Sequence, residues 1–166
     1  MPGADRIGLK HGAGGRAMRA LIEEVFLALA TPVDGIGLSA LDDGAAIRIG
    51  DRWLVLTTDS HVVHPVFFPG GDIGRLAICG TVNDLAVMGG RPIALSCGMI
   101  LEEGFDILDL ERIVRSMDEA LTESGAHLVT GDTKVVERGG VAGMVINTGG
   151  IGQRIKGAEL GFKSIQ

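Results

Sequence analysis

The sequence predicts an α+β fold in which a mixed, largely antiparallel sheet carries helices packed on one face. Three observations point there. Three helical patterns alternate with five strand-like runs, and some of those runs are separated by hairpin-length gaps that a purely parallel sheet does not allow. Apolar residues make up 46% of the chain but aromatics only 4%, so the core must be built from aliphatic and small side chains. The 27 glycines fall as GG and GxG punctuation between apolar runs, marking tight turns and close backbone approaches, not a disordered tract.

In chain order, RAMRALIEEVFLALA (residues 16–30) has apolar residues at helical spacing and stops at Thr31-Pro32, where proline disfavours continuation. AAIRIGDRWLVLTTD reads as two strands around a Gly50-Asp51 turn, which leaves Asp59 at the end of the second. Asp72 is a candidate N-cap for a helix from Ile73 to Met88, closed by Gly89-Gly90 and Pro92. At about 100° per residue, Ile73, Ala77, Gly80 and Met88 all lie within about 40° of Asp84, which centres that carboxylate on a small, apolar stripe. IALSCGMIL is a strand, and DILDLERIVRSMDEALTESG is the clearest amphipathic helix, with Asp106 as N-cap and Gly125 near C′. The strands HLVTGDTKVV and VAGMVINTGG follow. Residues 1–152 read as one domain, and residues 153–166, without a periodic pattern, as a tail or the start of a further one.

The bulk numbers narrow the function classes. A length of 166 residues suits one domain with one core. A net charge of −6 leaves no dense basic face to displace counterions, which argues against nucleic acid as a partner. An acidic protein can still bind a polyphosphate through an intervening metal ion. Cys79 and Cys97 lie in the apolar runs LAICGTV and LSCGMIL and read as buried free thiols of a reducing compartment. No run approaches the roughly 20 apolar residues of a membrane span, and MPGADRIGLK has no apolar leader core. A cytoplasmic protein without a membrane partner is expected.

Four acidic motifs fall at strand ends, turns or an apolar helix: LDDGA (Asp42, Asp43), TTDS (Asp59), VNDLA (Asp84) and TGDTK (Asp132, with Lys134). Singly, a turn, a cap or a solvated loop end explains most of them. Neither a turn nor a cap explains Asp84, and a carboxylate buried without a partner is costly. Three or four carboxylates converging from different elements would hold Mg²⁺, a hard cation that takes oxygen ligands and keeps waters and substrate phosphates. Lys134 would add a point charge for the phosphates, or else is a plain surface lysine at a strand end.

The glycine-rich HGAGG (His11, Gly12, Gly14, Gly15) precedes a helix, so its backbone N–H groups could meet an anion. Its continuation GAGGRA also satisfies G-x-G-x-x-G/A, which makes a dinucleotide site the rival, although IGLK is a poor preceding strand. The absence of G-x-x-x-x-G-K-[ST] excludes an ordinary P-loop. FFPGGDIG either covers a ligand or is a turn before the helix. His61 and His64 stand near Asp59 at i, i+3 spacing, but without cysteines or a third histidine they read as surface or supporting groups, not zinc ligands. His127 reads as structural.

Taken together, HGAGG, DDGAAI, TTDSHVVHPVFFPGGDIGRLAICGTVNDLAVMGGRP, ILEEGF, VTGDTKVV and INTGGIG resemble the HypE family of hydrogenase maturation proteins. That family belongs to the superfamily of aminoimidazole ribonucleotide synthetase and selenophosphate synthetase. DDGA, TTD and ND support the superfamily, and FFPGGDIG with GDTKVV points to HypE within it. The resemblance implies an ATP-dependent carbamoyl dehydratase. Such a protein receives a carbamoyl group on a C-terminal cysteine from the carbamoyltransferase HypF. ATP converts the thiocarboxamide to a thiocyanate, whose cyanide passes to iron on a HypC–HypD scaffold.

By the matching motifs, the resemblance implies that Asp43, Asp59 and Asp84 hold Mg²⁺ and ATP, with Asp42 a further ligand. Asp132 and Lys134 would complete the phosphate site and act in catalysis, Asn83 would position a neighbour or a water, and His11 with its glycines would contact the nucleotide. Family members are about twice this length and end in the acceptor cysteine, whereas this chain ends FKSIQ, so it reads as an N-terminal half. In the superfamily that half forms a homodimer by joining sheets into a shared barrel, with ATP near the subunit boundary. The alternatives are another ATP-dependent enzyme of the superfamily acting on a small substrate, and a non-catalytic dimerisation module.

Overall fold

The β-branched and apolar run WLVLTT in RWLVLTTDSH builds the strand on which the site stands. The computed structural model describes residues 6–158. In chain order its elements are α1 (Gly15–Leu21), β1 (Gly35–Ile36), β2 (Ala45–Ile49), β3 (Arg52–His61), β4 (Phe67–Phe68), β5 (Gly71–Asp72) and α2 (Ile73–Val87). β6 (Gly90–Glu102), α3 (Ile107–Ser124), β7 (His127–Val136) and β8 (Met144–Arg154) follow. β2 and β3 form the expected hairpin across Gly50-Asp51, with Gly50 at φ 60° and Ala46 opposite Val55. The main sheet runs β1-β2-β3-β8-β6-β7, in which only β6 and β7 are parallel. Among the described residues no helix is long and apolar enough to cross a membrane.

Both long helices lie on one face of this sheet. Along β8, Met144, Ile146, Thr148, Gly150 and Gly152 are buried, while Asn147, Ile151 and Gln153 point to the open side. Ile73, Ala77, Ile78, Thr81 and Leu85 of α2 cover the buried row, and Ile113, Met117, Ala120 and Leu121 of α3 complete the core. The NTGGIG sequence lets α2 come close. A Cβ on Gly150 would stand 2.7 Å from Thr81 Cγ2 and 3.0 Å from Leu85 Cδ1. The hydroxyls of Thr81 and Thr148 hydrogen-bond each other in this dry layer, and Thr148 Oγ1 lies 3.4 Å from the Ala77 carbonyl.

The caps agree with the sequence. Asp72 Oδ1 accepts from the Gly74 and Arg75 amides at 2.8 and 3.0 Å and from Ser116 Oγ at 2.6 Å, so the N-cap of α2 also ties it to α3. Asp106 caps α3, and Gly125 ends it in the left-handed region at φ 68°. Phe67 to Asp72 therefore form a small β4–β5 hairpin leading into a capped helix.

Three expectations change. The helix predicted over residues 16–30 follows a helical path but shifts register twice, through a π-type turn at Ile22–Phe26 and a 3₁₀ turn at Leu27–Leu29. None of its residues is buried, so no packed face enforces one register. The second helix closes at Val87, with Met88 as its C-cap. The last strand begins three residues later than predicted and continues to Arg154, because residues 137–143 are held as a loop. Glu102 clamps that loop, accepting from Gly139 N at 2.7 Å and Gly143 N at 3.1 Å.

Those two amides hold the Glu102 carboxyl below its ordinary value. Its contribution is full above the ordinary glutamate pKa of 4.5 and is lost as the pH falls through the lowered value. Hydrogen-exchange protection at Gly139 and Gly143 should therefore drop on acidification below pH 4.5, and Glu102→Gln should show weakened protection already at neutral pH.

Candidate functional site

The period of two along β3 puts Thr57, Asp59 and His61 on one face of the strand. Opposite them, α2 presents Gly80 and Asp84, about one turn apart. Thr57 Oγ1 lies 3.1 Å from Asp84 Oδ2 and 2.8 Å from the Asp43 carbonyl, so one hydroxyl links strand, helix and the Asp42-Asp43 loop. Its single proton serves either acceptor in turn. Asp59 Oδ1 accepts from the Ser60 amide at 2.8 Å, and its Oδ2 faces His61 Nε2 at 3.3 Å.

Asp84 is half-buried, and its burial raises the carboxyl pKa. The Thr57 hydrogen bond works against this, the charges of Asp59 and Asp43 add to it, and His61 opposes it weakly. Asp59 and Asp43 are thus near enough for their charges to act on Asp84, whose ionised form a nearby cation would favour. Among the described residues no three His, Cys, Asp or Glu side chains converge closely enough to hold one ion by themselves. An open, all-oxygen set of this kind fits Mg²⁺, which keeps waters and takes the rest of its ligands from phosphates.

A cleft of about 610 Å³ opens beside Asp42 and Asp43; Asp59 and Asp84 are not among the residues that line it. Met18, Ile22, Leu38, Leu41 and Leu56 form its apolar walls, and Asp42 and Asp43 stand on its polar side. Leu41, immediately before the acidic pair, is left-handed at φ 54°, which is uncommon for leucine. The size and lining suit a small-molecule ligand with an apolar body and a charged end.

The other sequence candidates fall in different places. Asn83 is exposed on α2, next to Asp84. His11 is buried, and its Nδ1 accepts from the Gly8 amide at 2.9 Å, which commits it to its own turn. Gly12, Gly14 and Gly15 are exposed, the last two at φ 77° and 75°. Only the 3₁₀ turn Leu9–His11 precedes them among the described residues, so GAGGRA is not a strand-to-helix turn and the dinucleotide reading fails. Asp132 and Lys134 pair with each other at 3.3 Å on exposed β7. Through Gly98 and Asn147, Asp132 is level with Ser60, three strand spacings or about 14 Å from β3. The structure therefore places Asp59 and Asp43 within electrostatic reach of Asp84, puts Asp42 and Asp43 at the cleft, and leaves Asp132 and Lys134 at the far edge of the sheet.

One expectation is corrected here and one is narrowed. Asp84 sits about 60° from the centre of the buried stripe, which runs through Gly74, Ala77, Thr81 and Leu85, and so faces β3 at the margin of the core. Of the two readings left open for His61, surface or supporting, the first is removed: it is 7% exposed, unlike His64, which is exposed. The alternation in TTDSH, which aligns residues 57, 59 and 61, was the available signal.

Residues 41–153 match the N-terminal domain of AIR synthase related proteins, and the chain belongs to that family. Within it, the similarity is to HypE. The chain is 50% identical over 155 residues to the carbamoyl dehydratase HypE of Rhizobium leguminosarum bv. viciae, covering 93% of this chain and 43% of that protein. It is 50% identical over 151 residues to the carbamoyl dehydratase HypE of Escherichia coli K12, covering 89% and 45%. Among solved structures it matches HypE from a HypE–HypF complex with a TM-score of 0.74 and 49% identity, covering 84% of this chain and 44% of that one. HypE in complex with ATP matches with a TM-score of 0.62 and 49% identity, over 90% and 44%. The chain spans less than half the length of the curated relatives it matches.

Because folding raises the pKa of Asp84, the folded protein binds its proton more tightly than the unfolded chain, and ligand-free stability falls as the pH rises from 3.8 through the raised value. Asp84→Asn should therefore melt at a higher temperature than the parent at pH 7 without ligand, and calorimetry at lower pH should show the gap closing.

Proposed function

We propose that this chain is the nucleotide-binding part of a HypE-type carbamoyl dehydratase, a cytoplasmic homodimer that holds ATP with Mg²⁺. The observation that carries this reading is Asp84, a half-buried helical carboxylate whose pKa is raised by burial and by the nearby charges of Asp59 and Asp43, hydrogen-bonded to Thr57, which with Asp42 and Asp43 lines an open cleft. The names of the relatives and the ATP complex of one of them support it. In the reaction, a thiocarboxamide on a cysteine loses its oxygen to the γ-phosphoryl group of ATP. That oxygen leaves as phosphate, both N–H protons depart, and a thiocyanate and ADP remain. Phosphorylation is needed because an amide oxygen is a poor leaving group.

Mg²⁺, when bound, would neutralise charge on the transferring phosphates. Asp43, Asp59 and Asp84 would hold it, with Asp42 beside them, while Thr57 orients Asp84 and the apolar walls of the cleft exclude water from one side. The exposed amides of Gly12, Gly14 and Gly15 would serve the phosphates, and Asn83 would position a water. His11 would support that loop. Lys134 and Asp132 would act on the ATP of the partner subunit, since about 14 Å separates their strand from β3. The acceptor thiol is neither Cys79 nor Cys97; Cys97 is buried, and its burial raises the thiol pKa. HypF would load that thiol and HypC–HypD would receive the cyanide.

Titration calorimetry with Mg-ATP checks the site. Asp84→Asn should bind at least about tenfold more weakly than the parent, a loss of about 1.4 kcal/mol or more. Equal tight binding by both would remove Asp84 from the site. The shared-site arrangement has its own check: Asp84→Asn and Lys134→Ala should each bind poorly as pure dimers. Refolded together in equal amounts they should recover about a quarter of the parental sites, because half the dimers are mixed and each mixed dimer has one intact site.

A further inference from the structure

The reaction outlined above leaves one buried group on β3 unused. His61 is 7% exposed, and among the described residues its Nε2 has no hydrogen-bond partner although it lies 3.3 Å from Asp59 Oδ2. Buried nitrogen atoms are nearly always paired, so an orphan one asks for a reason. Space is reserved for this ring. A Cβ on Gly80 would stand 2.9 Å from His61 Cε1, 3.5 Å from Nε2 and 3.2 Å from Asp59 Oδ2. Gly80 is inside α2 and has no left-handed φ, so the contact, not the backbone, demands glycine there. Strand and helix thus meet at two successive points, Thr57 against Asp84 and the His61–Asp59 pair against Gly80.

We propose that His61 is a positioning residue: seated against Gly80, its imidazole fixes the direction in which Asp59 presents its carboxylate to the site of Asp43 and Asp84. Asp59 Oδ1 is already held by the Ser60 amide at 2.8 Å, and the His61 ring bounds the second oxygen. With Nε2 3.3 Å from Oδ2, a protonated ring nitrogen brought into line would donate to that oxygen, and both carboxylate oxygens would then have a fixed partner. Without the ring, a side chain that is 41% exposed is free to turn toward solvent. Supporting groups of this kind act on a carboxylate ligand by orienting it, and their loss lowers metal affinity without touching the metal.

The consequence for nucleotide binding rests on the Mg-ATP reading, so the test has two arms. In the first, ATP is titrated at a series of free Mg²⁺ concentrations into the parent, His61→Ala, His61→Gln and Gly80→Ala. The Mg²⁺ needed for half-maximal ATP affinity should rise about tenfold in His61→Ala and Gly80→Ala, with Mg²⁺-free ATP affinity unchanged. His61→Gln, which keeps a nitrogen donor, should stay within about threefold of the parent. In an Asp59→Asn background, His61→Ala should add less than about twofold, because positioning acts only through that carboxylate. Full additivity, or equal loss with and without Mg²⁺, overturns the proposal.

The second arm uses the ligand-free protein with ¹³C-labelled aspartate carboxyls. The Asp59 resonance should move in both His61→Ala and Gly80→Ala, while that of Asp51 in the β2–β3 turn stays in place. An unmoved Asp59 overturns the proposal whatever ATP does. A displaced Asp59 signal in a protein that binds no Mg-ATP supports the role of His61 and refutes the nucleotide reading.

Discussion

The separation between α2 and the sheet is set by side chains that are absent: Gly150 and Gly152 beneath Leu85, Gly80 over His61, and Gly90 against Val55. At Gly150 and Gly80 a Cβ would come within 3 Å of a facing side-chain atom, so a methyl group at either would need space already occupied. The contact between Thr57 and Asp84 follows from that approach. The 3.1 Å contact from Thr57 to Asp84 spans the two layers, and a helix held further out would break it. The Thr81–Thr148 pair belongs to the same constraint, because two hydroxyls buried this close must satisfy each other.

Against this, the cluster works to open the interface it sits in. Burial disfavours the charged form of Asp84, and the neighbouring charges of Asp59 and Asp43 add to that cost. The opposing contribution lies on the same helix: Ile73, Ile78 and Leu85 are fully buried, each supplying about 1.5–3 kcal/mol. Leu41 in the left-handed region adds strain at the same cleft. Strain and like charge are thus confined to the margin of a well-packed layer, where a ligand can relieve them.

Much of this was legible because local rules had no competitor. Asp72 and Asp106 are caps, Gly50-Asp51 is a hairpin turn and Gly125 ends α3, each by chemistry that acts within a few residues. The acidic motifs were legible as a recurrent pattern, and the charges of two of them, at Asp43 and Asp59, act on the third at Asp84. What failed needed tertiary information. A helical wheel cannot say which neighbour the α2 stripe faces, so Asp84 was centred on the core when it belongs to the β3 side. Periodicity cannot reveal that residues 16–30 lack a partner surface and hence change helical register. Nor can spacing in TGDTK show that β8 and β6 lie between β7 and β3.

That last point ties the fold to association. Among the described residues β7 is an edge strand paired only to β6, with Val129 and Val135 more than 60% exposed and Lys134 beside Asp132. A ten-residue edge of this kind is a liability for a lone domain, because its unpaired backbone groups invite a second strand. Under the proposed dimer, one event would cover that edge and bring a lysine to a site in which three carboxylates need positive charge. Lys134 paired to Asp132 within one chain is partly neutralised and lies about 14 Å from that need. Dimer formation would then be a condition for a complete phosphate site as well as a way of burying surface. The α2–β3 contact would hold Asp84 against Thr57 while, under the same proposal, the edge strand would supply the cation from outside.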